Sequence, residues 1–294
     1  MNQDLLFAEN VIVQGVTGLH GSFQTKSMLA AGTNIVAGTS PGKAGQTIEN
    51  IPVYDSIADV QKDYKVDASV IFVPARFAKS AIIEAIKAKV PLIVCVTEGV
   101  PVNDMVVIKK LLKNSSSTLI GPNSPGLIIP GINKLGIIPA DMLLGGHIAL
   151  VSRSGTLTYE AMAGLTKRGL GQRYVIGIGG DPVRGTGFID CLKLFQTDPE
   201  VEKIVLIGEI GGNDEQRAAE YIRSSVTKPV FTYVAGHHAP VGVQMGHAGA
   251  ILGSSDESAD AKTAVLKSAG AATANSISQL VDLVSCYTDS NEKD

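Results

Sequence analysis

Short apolar runs that favour β-strands alternate with amphipathic helical patterns along most of this chain. The apolar runs are residues 11–14, 34–37, 69–73, 92–96, 118–121, 147–151, 174–178, 203–207 and 230–234. The helical patterns are residues 56–64, 77–87, 104–112, 157–168, 214–225, 260–269 and 276–286. Continuous apolar strands that alternate with helices are typical of parallel sheets covered on both faces. The pattern therefore predicts an α/β fold.

The chain length of 294 residues predicts about two domains of ordinary size. Residues 122–146 are rich in proline and glycine and lack a clear periodicity, which makes this segment the natural boundary. We therefore divide the chain into residues 1–125 and 126–294. The polar tail, residues 289–294, is expected to fray.

Composition argues against several classes of protein. The formal net charge is −3 without a basic block, which disfavours nucleic-acid binding, and no apolar run is long enough for a membrane span. Residues 1–10 have no secretory or transit pattern, which favours a bacterial or archaeal cytoplasm, although a mature mitochondrial matrix chain would look the same. The scattered Cys95, Cys191 and Cys286 predict neither a disulfide framework nor a zinc site, and Cys95 is expected to be buried.

A glycine loop follows the first predicted strand. Gly15, Gly18 and Gly21 are spaced three residues apart before a helix, where backbone amides and the helix N-terminus can bind an anion. The second strand leads to Lys43 rather than to the acidic residue that usually holds an NAD ribose. A phosphorylated nucleotide such as coenzyme A (CoA) fits this pattern. Close packing of the glycines and a solvated Lys43 are the alternatives.

Two further strand ends carry polar side chains. Thr97 and Glu98 end a strand of the first half, where they either contact the same ligand or cap the helix after Pro101. Ser154 and Thr156 open a helix of the second half. Their hydroxyls and the free amides of the helix start predict a second anion site, which is compatible with N-capping by Ser154.

His247 lies in the sequence Gly246-His247-Ala248-Gly249-Ala250, where small neighbours leave the imidazole accessible. Glu209 lies just after the strand 203–207 and before two glycines. A carboxylate there can hydrogen-bond one ring nitrogen of His247 and leave the other as a nucleophile. A lone histidine near a turn and a surface glutamate are the alternatives.

Together, several motifs resemble the α subunits of the succinyl-CoA synthetase family. The motifs are Gln14-Gly15-Val16-Thr17-Gly18, Pro41-Gly42-Lys43, Gly121-Pro122-Asn123, Ser152-Arg153-Ser154-Gly155-Thr156-Leu157-Thr158-Tyr159-Glu160, Gly177-Ile178-Gly179-Gly180-Asp181-Pro182, Gly208-Glu209-Ile210-Gly211-Gly212 and Gly246-His247-Ala248-Gly249-Ala250. The resemblance implies an N-terminal Rossmann-like CoA-binding domain and a C-terminal flavodoxin-like domain. It also implies a separate β subunit that carries the magnesium–nucleotide site.

The resemblance also implies a role for each matching residue. The expected CoA contacts are Thr17, Gly18, Leu19, His20, Lys43, Val96, Thr97 and Glu98. The expected substrate and phosphate contacts are Tyr159, Ser154, Gly155, Thr156 and Ser124. His247 would be phosphorylated and Glu209 would pair with it. The sequence departs from many relatives at Ser124, where they carry cysteine, and at His20, where glutamine is frequent.

The implied reaction converts succinyl-CoA, phosphate and a nucleoside diphosphate into succinate, CoA and a nucleoside triphosphate. It proceeds through succinyl phosphate and phosphorylated His247 and is the substrate-level phosphorylation of the citric acid cycle. The resemblance implies no metal on this chain and an αβ or α2β2 assembly. Another nucleoside-diphosphate-forming acyl-CoA synthetase, such as a malate–CoA ligase, remains an alternative. A nicotinamide-dependent dehydrogenase and a non-catalytic CoA-binding protein are alternatives from other classes.

Overall fold

A computed structural model describes Met1 and residues 3–287, so the predicted fraying tail 289–294 lies outside the described residues. The strands are β1 (Val11–Gln14), β2 (Ile35–Thr39), β3 (Thr47–Ile48), β4 (Ile51–Tyr54), β5 (Ala68–Ile71), β6 (Leu92–Cys95), β7 (Thr118–Ile120), β8 (Gly126–Ile129), β9 (Asn133–Gly136), β10 (Gly145–Ser152), β11 (Gln172–Gly177), β12 (Lys203–Glu209), β13 (Val230–Ala235) and β14 (Ala272–Ala274). The helices are α1 (Leu19–Ala30), α2 (Ile57–Val60), α3 (Ala75–Lys87), α4 (Val102–Leu112), α5 (Gly155–Lys167), α6 (Phe188–Thr197), α7 (Asp214–Ser225), α8 (Ala259–Ser268) and α9 (Ile277–Cys286). Short 3-10 helices cover Gln3–Phe7 and Ser255–Glu257.

The first sheet has the strand order β3-β4-β2-β1-β5-β6-β7. All its pairs are parallel except β3 with β4. Renumbered along the chain without the β3 edge, the parallel strands read 3-2-1-4-5-6, which is the Rossmann order. Every residue of β1, β5 and β6 is buried, as expected for strands covered on both faces.

The second sheet has the order β14-β13-β12-β10-β11-β8-β9. Its first five strands are parallel, and β8 and β9 add an antiparallel hairpin at one edge. Renumbered along the chain, the parallel strands read 5-4-3-1-2, the flavodoxin-like order. The predicted α/β class is therefore confirmed, with a Rossmann-like sheet followed by a flavodoxin-like one.

The two sheets meet through the hairpin. Strand β7 ends at Ile120 and β8 begins at Gly126, so the predicted division at residue 125 lies in this connection. The β9 residue Lys134 accepts a hydrogen bond at its carbonyl from Thr33 Oγ1 at 2.8 Å, and its Nζ lies 2.5 Å from Ser27 Oγ. These contacts join β9 to α1 and its following turn. Loops that follow strands of both sheets line one cavity, so the carboxyl ends of the two sheets face one another.

Two expectations about elements were wrong. Residues 126–136 form the hairpin instead of an aperiodic connection, because both strands are buried throughout and show no alternation. The helix expected over 56–64 is confined to Ile57–Val60, and bonds of the i−3 type at Lys62 and Asp63 replace the α pattern.

Other elements follow from local chemistry as expected. Ser154 and Ser276 cap α5 and α9 by accepting hydrogen bonds from Leu157 N and Gln279 N. Cys95 is fully buried on β6, and that burial raises the pKa of its thiol to about 12. Cys95 therefore behaves as a small core side chain. No helix among residues 1 and 3–287 is long and apolar enough to cross a membrane.

Candidate active site

The candidate site lies where the strand order of each sheet reverses. In the first sheet this point separates β1 from β5, and the glycine loop begins directly after β1. In the second sheet it separates β10 from β12, which end at Ser152 and Glu209. Crevices at such switch points are the usual ligand sites of open parallel sheets. The two crevices face each other across the domain boundary.

One cavity of about 680 Å³ contains His247 and lies between the two domains. Its lining brings together many of the predicted site residues: Gly18, Leu19, His20, Val96, Thr97, Glu98, Ser124, Gly155, Thr156, Tyr159 and His247. Because residues of both domains line this cavity, motifs far apart in the sequence form a single site.

A second cavity, also about 680 Å³, lies over the first sheet. Thr17, Gly18 and Lys43 line it together with Ser40 and Glu84. Both cavities share Gly18, Phe72, Val73 and Pro74 in their walls. They therefore lie side by side, and all eight residues predicted to contact CoA line one or the other.

Local hydrogen bonds shape the walls of these cavities. Thr17 Oγ1 lies 2.9 Å from Ser40 Oγ, which ties the glycine loop to the end of β2. Asp55 Oδ1 accepts hydrogen bonds from the backbone amides of Lys43 and Ala44, each at 3.1 Å. This fixes the turn that carries Lys43 and leaves its side chain exposed at the cavity rim.

The capping alternative for Thr97 and Glu98 is wrong. Helix α4 begins at Val102, its N-cap is Pro101, and the acidic residue of its first turn is Asp104. Thr97 Oγ1 instead donates to Val73 O at 2.7 Å, across the ends of β6 and β5. Thr97 and Glu98 both line the cavity between the domains.

The N-terminus of α5 forms the second-domain wall of this cavity. Ser154 accepts a hydrogen bond from Leu157 N at 3.4 Å, and Gly155, Thr156 and Tyr159 line the cavity itself. The remaining amides of the first turn have no partner within the helix and carry its positive partial charge. Ser124 Oγ is already engaged, donating to Gly177 O at 2.6 Å and accepting from Gly126 N at 2.8 Å.

His247 lies beside the end of β12. Its Nδ1 is 2.7 Å from Glu209 Oε2, and Glu209 is 5% exposed rather than a surface acid. A carboxylate accepts hydrogen bonds, so in the neutral ring Nδ1 carries the proton and Nε2 keeps a lone pair. The hydrogen bond to Glu209 raises the pKa of His247 above its ordinary value, although burial opposes this shift. The ring is 27% exposed and lines the cavity between the domains.

Sequence reasoning missed several residues around His247. A Cβ at Gly180 would lie 2.3 Å from His247 Cγ, so the ring packs directly on this glycine. Gly249 N also donates to Gly180 O at 3.0 Å and fixes the loop on the other side of the histidine. Asp181 accepts from Asn123 Nδ2 at 2.9 Å, and burial raises the pKa of its carboxyl group. The glycine pair at 179–180 was the available signal for this packing.

Within residues 1 and 3–287, no group of three or more His, Cys, Asp or Glu residues is arranged to hold a metal ion. His237, which lies in the same connection as His247, is paired with a single carboxylate: its Nδ1 lies 2.7 Å from Asp260 Oδ1.

Comparisons with known proteins agree with this arrangement. A model of the CoA binding domain matches residues 8–99, and a model of the CoA-ligase domain matches residues 151–272. The chain is 48% identical to the succinate–CoA ligase [ADP-forming] subunit alpha 1 of Archaeoglobus fulgidus, over 96% of this chain and 97% of that protein. It is 52% identical to the corresponding α subunit of Aquifex aeolicus, over 89% of this chain and 86% of that protein.

The chain belongs to the succinate–CoA ligase α-subunit family. Among solved structures, it resembles ATP citrate lyase from Methanothrix soehngenii in complex with citrate and CoA, with a TM-score of 0.84 and 25% identity. The match covers 94% of this chain and 50% of the lyase chain, so the chain spans about half the length of that enzyme. The two-domain arrangement of this succinate–CoA ligase α-subunit chain is thus shared with a larger CoA enzyme.

Proposed function

We propose that this chain is the α subunit of a nucleoside-diphosphate-forming succinate–CoA ligase that works through phosphorylated His247. The observation that carries the proposal is the shared cavity. His247, the residues at the start of α1 and the N-terminus of α5 all line one space of about 680 Å³. A nucleophile, a CoA-binding loop and an anion-binding helix start therefore act on the same substrate.

The arrangement supports a three-step reaction in the direction of nucleotide synthesis. A phosphate oxygen attacks the thioester carbon of succinyl-CoA, and the C–S bond breaks to release CoA. His247 Nε2 then attacks the phosphorus of succinyl phosphate, and the P–O bond to succinate breaks. Finally a terminal oxygen of the nucleoside diphosphate takes the phosphoryl group from Nε2, which regenerates the neutral ring.

The residues of this chain have separate tasks in those steps. Glu209 accepts the hydrogen bond from Nδ1–H of His247. This contact directs Nε2 into the cavity and stabilises positive charge that develops on the ring. The first-turn amides of α5 and the hydroxyl of Thr156 stabilise the negative charge of the transferring phosphoryl group. Tyr159 and Ser124 border the space for the acyl group.

The adjoining cavities support CoA as the thiol substrate. The cavity with Lys43 suits the phosphorylated nucleotide end, and Gly18 leads from it to the cavity with His247 for the thiol end. The magnesium-bound nucleotide has its site on a β subunit in this proposal, so the active enzyme is an αβ or α2β2 complex. The bacterial and archaeal relatives favour a cytoplasmic location.

A labelling experiment tests the proposal. This chain is mixed with a cognate β subunit and with ATP or GTP labelled in the terminal phosphate. We expect label on this chain that is lost in acid, survives base, and is discharged by succinate together with CoA. Discharge only by another acid, such as malate, with CoA would retain the phosphohistidine and replace the substrate. Absence of label beside an active β subunit would contradict the proposal.

The pH dependence of labelling follows from the hydrogen bond to Glu209. Nε2 accepts a phosphoryl group only when the ring is neutral, and the pKa of His247 is raised above its ordinary value of about 6.5. The initial rate of labelling should therefore rise with pH through a midpoint above 6.5. Glu209→Gln removes the charge that raises this pKa and should move the midpoint down. A midpoint that is unchanged in Glu209→Gln would contradict the assignment.

A further inference from the structure

Four charged side chains lie almost completely buried behind His247. They are Arg153, Glu209, Glu215 and Lys262, with exposed fractions of 2%, 5%, 0% and 0%. Burying a charge is strongly unfavourable unless an opposite charge and hydrogen bonds compensate it. The cluster contains two cations and two carboxylates, so its positive and negative charges are equal in number. Only Glu209 of the four contacts His247.

Glu215 on α7 links the two cations. Its Oε1 lies 3.0 Å from an Nη atom of Arg153, and its Oε2 lies 2.5 Å from Lys262 Nζ. Lys262 Nζ also donates to the carbonyls of Glu209 and Gly211 at 2.9 and 2.7 Å. The backbone at the end of β12 is thereby held from α7 and α8 at once.

Arg153 reaches the carboxylate that contacts the histidine. Its Nε lies 3.2 Å from Glu209 Oε1, an ion contact that lacks hydrogen-bond alignment, while Glu209 Oε2 faces His247 Nδ1. The two oxygens of one carboxylate therefore face a permanent cation and the imidazole. Because both oxygens are engaged, rotation of the carboxylate would break one of the contacts.

We propose that Arg153, Glu215 and Lys262 are positioning residues that fix the Glu209 carboxylate against Nδ1 of His247. The inference rests on the proposed phosphohistidine function, but it concerns only how the histidine is held. Arg153 and Glu215 act through Glu209 and do not touch His247. Arg153 contacts the Glu209 carboxylate directly, and Glu215 holds Arg153 and Lys262 in place.

The electrostatic balance around the ring is defined by a few groups. Glu209 contacts the ring, Glu98 lines the same cavity as the ring, Asp181 interacts with it electrostatically, and Arg153 lies behind Glu209. The Arg153 charge lowers the pKa of His247, against the larger upward effect of the hydrogen bond to Glu209. Removing Arg153 takes away this smaller effect but also frees the Glu209 carboxylate to rotate, so loss of the larger effect should lower the pKa of His247. Removing the Glu215 charge leaves Arg153 and Lys262 uncompensated and should lower it.

The test follows the ring nitrogens of His247 by NMR in the full chain, labelled with 15N-histidine and assigned with a His247→Gln variant. Arg153→Met and Glu215→Gln should each shift the His247 titration to lower pH, because the Glu209 carboxylate is then no longer held against Nδ1. The double variant Glu215→Gln/Lys262→Met removes one charge of each sign and should return the titration toward wild type. Paired removal of buried charges is better tolerated than single removal, so this variant also serves where a single variant does not fold.

The same variants are compared for labelling of His247 in the complex with the β subunit. The two single variants should be labelled at least about tenfold more slowly, because a misplaced carboxylate misdirects the nucleophile. Arg153→Lys, which keeps the charge, should titrate close to wild type. Titrations that do not move in the two single variants, or a shift to higher pH in Arg153→Met, would overturn the inference, because the carboxylate would then keep its place without Arg153. Failure of the wild-type chain to accept label would instead contradict the proposed function and leave the titration result standing.

Discussion

Replacing His247 with alanine should abolish phosphorylation of this chain and turnover of the reconstituted ligase. The substitution removes the imidazole that lines the cavity and is oriented by the buried Glu209 carboxylate. Among the described residues, no other imidazole that lines this cavity has such a contact. Removal of a covalent nucleophile costs about 10⁶-fold in turnover where it has been measured, so residual activity should be below detection. The measurements are label incorporation from the terminally labelled nucleotide and synthesis of succinyl-CoA.

Binding of CoA separates loss of chemistry from loss of folding in this variant. Lys43 and Thr17 line the cavity that does not contain His247, so calorimetric titration with CoA should give nearly the wild-type affinity. The matched control is His238→Ala, which removes an imidazole outside the cavity from the same loop region and should leave labelling unchanged. Phosphorylation of His247→Ala at the wild-type rate would refute the covalent role.

The fold was largely predictable because its main signal is local. For Val11–Gln14 and Asp214–Ser225, the bounds predicted from the sequence equal those in the structure. A continuous apolar run marks the strand, and helical periodicity marks the helix. The hairpin β8–β9 was not predictable in this way. Its strands are buried throughout and become strands only by pairing with each other and with β11, which depends on tertiary contacts.

The contact between Glu209 and His247 was predictable because both residues lie in sequence motifs. Glu209 and His247 were paired from a strand end and a glycine-bordered loop, and the structure places their atoms 2.7 Å apart. The supporting charges Glu215 and Lys262 were missed because each lies in an ordinary helical pattern, where charged residues are usually solvated. Only the packing of α7 and α8 against the end of β12 brings them under Glu209.

Gly180→Ala should give a folded chain that is phosphorylated at least about a hundredfold more slowly. A Cβ at this position would lie 2.3 Å from Cγ and 2.4 Å from Nδ1 of His247, so the imidazole must move away. That movement breaks the hydrogen bond to Glu209 and withdraws Nε2 from its place in the cavity. A displacement of about 1 Å at a reacting group costs on the order of 10²-fold, which sets the expected loss.

The matched control is Gly145→Ala at the start of β10. A Cβ there meets only Pro130 Cβ, at 3.5 Å, so the same chemical change occurs without a clash. Labelling and thermal stability of Gly145→Ala should be close to wild type, while Gly180→Ala should lose labelling and retain CoA binding. In Gly180→Ala the His247 ring resonances should also lose the signature of the Glu209 contact. Equal labelling rates for the two variants would mean that the histidine works from a position other than the one packed on Gly180.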